Sequence, residues 1–250
     1  STCRFRAEAA DVIDVRRVLR QEAEDAAWAL GAVVDLGADR SAEAATRALQ
    51  REIWKGKRRL LLLLSFLYDR TAILRAADNL LRPSAEQRRA YALEVLDTSL
   101  TQDLKVFLLP LFEDIPPAAS VGRLRRDFPQ PRLGRSGRLA EIVRTDSRWV
   151  HPWLRACAIH AARELTDEAA LAAIHSRAED ENLLVRETAL GALTDAGSSE
   201  AQGRGLQIGH AMADALRQFV GKRRDGEEKE VRMLLTIEKV MVLRSLSIFE

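Results

Sequence analysis

An all-α fold is what this sequence predicts, and three observations predict it. Ala, Leu, Arg and Glu dominate the 250 residues while aromatics make up only 5%, a balance that suits helix rather than sheet. Apolar residues recur at i, i+3, i+4 spacing along most of the chain, and no run of Val, Ile, Thr or Tyr alternates with period two. Gly and Pro gather in a few short stretches between these stripes.

Each element follows from local signals. The first helix spans about 6–36 and stops at Gly37, the residue type favoured just past a helix end. Ser41 reads as the N-cap of a second helix that passes Trp54 and reaches Tyr68. Its second half contains "LLLLLSFLY", the longest uncharged apolar run. At well under the roughly 20 residues that cross a bilayer, the run reads as a deeply buried helix. Asp69 reads as the cap of a helix over 71–81, which Pro83 ends. "SAEQ" at 84–87 is a capping-box pattern that opens a helix through Leu96. Leu104 to Phe112 form another stripe, with Pro110 bending or ending it. Residues 116–138 hold four prolines and three glycines and predict a short helix at 119–126, then a loop that serves as a hinge between two halves. Helices resume at 139–144, 152–165, 168–178 and 183–196, the last closed by Gly197. "GSSEAQGRG" is a second loop, and helices at 211–220 and 227–242 complete the chain. The domain reading is 1–115 as an N-terminal helical region with the first repeat units, 116–138 as an irregular connection, 139–226 as repeats, and 227–250 as a terminal helix and linker toward a further downstream domain.

A repeat underlies the middle of the chain. "RAYALEVL" from Arg89, "RACAIHAA" from Arg155 and "RETALGAL" from Arg186 each place an Ala three residues after an Arg on an otherwise aliphatic face. Units of this size stack on neighbours of their own kind, because none can bury its apolar face alone. The small Ala permits close approach, and the Arg reaches carbonyls or an acid of the next unit. "DENLLVRETALGAL" resembles the junction of two HEAT-type repeats. That resemblance implies a HEAT/armadillo-like α-solenoid of antiparallel helix pairs.

A second resemblance rests on "RRLLLLLSFLYD", "ALEVLDTSLTQDLKVFLLPLFED" and "TIEKVMVLRSLSIF". These look like the HEAT-repeat region of bacterial ATP/ADP-translocase-like, major-facilitator-type transporters that carry a C-terminal cyclic-nucleotide-binding domain. One departure is Asp97-Thr98, where the pattern expects Asp-Asn. The resemblance implies a soluble scaffold or regulatory segment at the cytoplasmic face of a bacterial inner membrane, whose partners are the transporter and nucleotide-binding domains of one parent chain. It also implies that the apolar tail, with Ile248 and Phe249, leads into that next domain. The alternative is a free-standing solenoid that binds a protein, peptide or nucleic acid in its concave groove.

Chemistry-bearing residues are few. Cys3 and Cys157 offer neither metal spacing nor a disulfide framework, which suits a reduced compartment. His160 lies three residues after Cys157, a spacing that can lower a thiol's pKa, but the alanine-lined face around them reads as packing. His151, His160, His175 and His210 make no HExxH, and Glu164 and Glu179 are the nearest acids to a His160–His175 pair; structural histidines are the better reading. Glu164, Asp167 and Asp180 look like caps and exposed faces rather than catalytic acids. "GRGLQIG" lacks the strand and Lys-Ser/Thr of a phosphate loop. No enzyme, cofactor or metal is therefore expected.

Positive charge collects in "KGKRR" at 55–59, in 122–138 and in "GKRRDG" at 221–226, yet the formal net charge is only +2. Solvated surface is the favoured reading, followed by anionic lipid or transporter contact, with nucleic acid third. The candidate interaction surface is Arg123, Arg125 and Arg126, the Trp149–Trp153 pair at i, i+4, and Ile248 with Phe249. The tryptophan pair reads first as a plug between helices and, if exposed, as a partner-binding anchor.

Overall fold

In the computed structural model, which describes residues 9–82, 85–165 and 167–195, ten α-helices and no strand are present among the described residues. The C-terminal loop, the helices expected at 211–220 and 227–242, the last basic cluster, Cys3, His210, and the tail with Ile248 and Phe249 all lie outside them.

Helix α1 (Ala9–Leu36) ends where expected. Gly37 takes φ 64°, and its N–H bonds to the Val33 carbonyl at 3.2 Å, closing the helix in the left-handed conformation glycine adopts freely. The next start differs from expectation. A 3-10 turn over Arg40–Ala42 precedes α2 (Glu43–Leu67), and the cap is Asp39, whose carboxylate accepts the Ser41 N–H at 2.8 Å. Ser41 thus receives a cap instead of supplying one. Asp69 does cap α3 (Arg70–Leu81), accepting the Ala72 N–H at 2.6 Å. Helix α4 (Glu86–Ser99) follows Ala85, with no side-chain cap bond; Ser84, the expected cap, is not among the described residues.

Helix α5 (Gln102–Phe112) continues two residues past Pro110, since a proline in the last turn removes only one late hydrogen bond. Helix α6 (Pro117–Leu124) begins two residues earlier than expected, on a proline at its first position. Helix α7 (Gly134–Arg144) begins five residues before the expected start at Leu139. Its first turns, "GRSGR", have poor helix propensity, and tertiary contacts of Arg138 override it. Helices α8 (Pro152–Ala162), α9 (Glu168–His175) and α10 (Leu183–Asp195) follow. Asp167 accepts the N–H groups of Ala169 and Ala170 at the start of α9, and Asn182 does the same for Leu184 and Val185 in α10. Helix α9 ends three residues short of expectation, where Arg177 turns back to the Val143 and Arg144 carbonyls of α7.

Helices α1 and α2 form a hairpin: Glu22 in the middle of α1 meets Arg59 in the last third of α2, which antiparallel helices require. On one flank of this hairpin the chain runs from α3 beside α2, through α4 and α5, to α6 beside α1. On the other, α7 packs on α1, α8 on α7 and α2, α9 on α7 and α8, and α10 on α8 and α9. Ala156, Cys157, Ala158, Ala161 and Ala162 of α8 are buried, and their small side chains let neighbouring helices approach closely. One hydrophobic cluster runs through all ten helices.

The α6–α7 connection is irregular, as its composition predicts, and is fastened along α1. Phe128 is buried edge-on to Phe107, Gln130 lies over Gly31, and Asp35 accepts the Leu133 N–H at 3.3 Å. Arg20 of α1 covers the Phe128 ring at 5.0 Å.

Candidate functional site

Among the described residues the buried charged side chains are Glu22, Glu52, Arg138 and Arg155, and each anchors one of four seams. At the first, Arg138, wholly buried, donates from Nε and Nη2 to Asp35 at 2.9 and 2.8 Å and to the Pro131 carbonyl at 2.9 Å, and it also pairs with Glu141. Glu141 in turn accepts the Trp28 indole N–H at 3.2 Å. This seam joins α1, the connection and α7. At the second, buried Glu22 accepts from Arg59 and pairs with Arg148, both at 3.0 Å, and Arg148 also meets Asp25 at 3.3 Å. At the third, buried Glu52 pairs with Lys55 at 2.7 Å and lies 3.4 Å from His151 at the head of α8.

The fourth seam uses one of the repeat arginines. Arg155 donates to the Thr145 carbonyl at 2.6 Å and to Asp146 at 2.8 Å; Arg177 reaches Asp146 at 3.0 Å and Asp180 at 3.3 Å. Burial first, and the neighbouring Arg177 charge second, pull Arg155 below the usual arginine range, against the opposing pull of Asp146 and Asp180. Arg186 donates to the Asp180 carbonyl at 3.3 Å, and Arg89 pairs with Asp114 at 3.1 Å. All three repeat arginines thus bind a carbonyl or an acid in a neighbouring segment.

"KGKRR" departs from the solvated reading. Lys55 pairs with Glu52, and Arg59 pairs with Glu22 while covering the Trp149 ring at 5.0 Å. Lys57 is half-buried; enclosure first, and the Arg89 charge next, hold its pKa below the usual lysine value, with Asp114 opposing. Only Arg58 of the four cations is exposed.

The candidate interaction residues separate in the same way. Trp149 is 1% exposed, seated on Gly56 of α2, so as a surface anchor it is corrected: it is a plug between α2 and the turn before α8. Trp153 is half-buried against the core. Arg123 is exposed and pairs with Glu113, whereas Arg125 and Arg126 are exposed with no hydrogen bond or ion pair among the described residues. Cys157 is fully buried and its thiol is pushed up by that burial, opposite to the lowering that a nearby His160 suggested. No group of three or more His, Cys, Asp or Glu side chains is placed to hold a metal among the described residues.

One surface feature escaped the sequence reading. Arg51, Trp54, Arg58 and Leu62 stand at i, i+3, i+7, i+11 on α2, and all four are exposed, Trp54 by 45% and Leu62 by 49%. Leu62 was expected in a deeply buried helix; Leu60, Leu61 and Leu64 are buried, and Leu62 points the other way. The helical spacing was readable, but "LLLLL" hid it. Comparison with protein-family models, curated proteins and solved structures found no match for this chain.

Proposed function

We propose that the chain is a non-catalytic scaffold, a HEAT/armadillo-like α-solenoid whose successive pairs are α1/α2, α7/α8 and α9/α10. The observation that carries this reading is the two-layer order of contacts: α1, α7 and α9 pack in succession, as do α2, α8 and α10. Stacking of that kind is how repeat units bury faces that none can bury alone. The use of charge supports it further. Glu22, Glu52, Asp35, Arg138 and Arg155 are engaged between helices or with the turns that join them, where they set register instead of facing a substrate.

On this reading the stack transmits displacement. Helix pairs joined by buried ion pairs shift as units, so a change at one end alters packing angles along the series. The sequence resemblance supplies the setting: a segment between a transporter-like membrane domain and a cyclic-nucleotide-binding domain of one parent protein. No helix among the described residues is long and apolar enough to cross a membrane, so any spans would belong to other parts of that parent. The test is to titrate cAMP and cGMP into the full-length parent while measuring transport. The expected result is saturable binding that changes transport, with the transported solute changing nucleotide affinity by the same factor. Saturation of the nucleotide site with transport unaltered would overturn the coupling role.

A further inference from the structure

The stripe on α2 has a composition that no internal contact explains. Arg51 and Arg58 are exposed and make no hydrogen bond or ion pair among the described residues. Between and beyond them stand Trp54 and Leu62, each close to half exposed. The four span about 16 Å at 1.5 Å per residue. Helix α3 runs back along the same part of α2, and the Trp54 indole N–H donates to its Leu81 carbonyl at 3.2 Å. On α3, Leu74 is 38% exposed and Arg75 is exposed and likewise unpaired. The acids of these two helices are already engaged: Glu43 with Arg47, Glu52 with Lys55, and Asp78 with Arg82. Together α2 and α3 therefore expose three guanidinium groups without partners among the described residues, one indole and two leucines, and every carboxylate of the two helices is paired with a cation.

We propose that this face docks on a bilayer surface bearing anionic lipid head groups. Guanidinium groups meet the phosphates, while Trp54, Leu62 and Leu74 enter the head-group–acyl boundary, where indole and aliphatic side chains are favoured. Two alternatives fit the residues less well. Exposed leucines add nothing to a grip on nucleic-acid phosphates, and the indole N–H is already committed to Leu81. A protein hot spot is a recessed, water-excluded anchor, whereas each member of this stripe is exposed. The inference stands on the α2–α3 surface alone and does not depend on the scaffold role.

Co-sedimentation of the full chain with phosphatidylcholine vesicles, with and without one-third phosphatidylglycerol, tests it at low and high salt. The expected result is binding to the anionic vesicles alone, weakened at least tenfold on raising salt from about 0.05 to about 0.5 M, because screening shortens the reach of exposed charges. Replacing Arg51, Arg58 and Arg75 together by Gln should reduce low-salt binding at least tenfold with the thermal midpoint unchanged, since none of the three has a partner to lose. Leu62→Ser with Leu74→Ser should weaken binding severalfold and leave the salt dependence intact. The proposal is overturned by equal binding to neutral vesicles, by no binding at low salt, or by tighter binding to duplex DNA than to vesicles. It is also overturned if Arg125→Gln with Arg126→Gln abolishes binding while the α2–α3 variant retains it.

Discussion

Gly56 shows how one residue decides a neighbour's place. A Cβ added there would collide with the Trp149 ring, which is buried and already covered on one face by Arg59. Gly56→Ala should therefore cost about 1–3 kcal/mol through overpacking, measured by urea unfolding, with Trp149 more accessible to an aqueous quencher. Lys57 makes a prediction of opposite sign. Its charged form is disfavoured in the fold, so the folded protein releases that proton at lower pH than the unfolded chain does. Between those two values the unfolded state binds more protons, and stability rises with pH. Lys57→Met should raise the thermal midpoint at pH 7 by about 2–4 °C and remove that part of the rise above neutral pH. An unchanged midpoint and an unchanged pH profile would show that Lys57 reaches solvent freely.

Among elements, α7 is the one whose existence over 134–138 depends on distant partners. Arg138 is buried between Asp35, Glu141 and the Pro131 carbonyl, so its removal leaves Asp35 without its countercharge inside the protein. Arg138→Ala should cost about 3–5 kcal/mol. Hydrogen exchange should then quicken first over residues 125–138, the connection and the first turns of α7. The caps at Gly37, Asp69 and Asp167 are by contrast local: each satisfies backbone groups within four residues of itself, and each was legible as a residue type at a boundary. Ser41 misled because Asp39, two residues earlier, is the stronger acceptor and draws the backbone into a 3-10 turn before α2.

For the whole molecule, the continuous hydrophobic cluster from Leu19 to Leu193 joins both flanks of the α1/α2 hairpin. Far-UV circular dichroism and tryptophan fluorescence should accordingly report one coincident urea transition over the described helices, because Trp28, Trp54 and Trp149 all lie on or against that hairpin. Two separated transitions would mean that the flanks fold independently.

By itself the sequence determined the helical class, most helix positions and the caps at Gly37, Asp69 and Asp167, because the 3.6-residue period and the terminal hydrogen bonds are local properties of the backbone. It also placed the repeat arginines, whose partners lie in neighbouring segments of the chain. Only the tertiary structure decided which side chains of α2 are covered. Lys57 is enclosed beside Arg89 and Asp114 and Arg59 is drawn to Glu22, while Arg51, Trp54, Arg58 and Leu62 stay outside. Trp54 and Trp149 are alike in sequence terms and opposite in burial. Burial belongs to whichever helix arrives from elsewhere in the chain, and helical periodicity carries no record of that arrival.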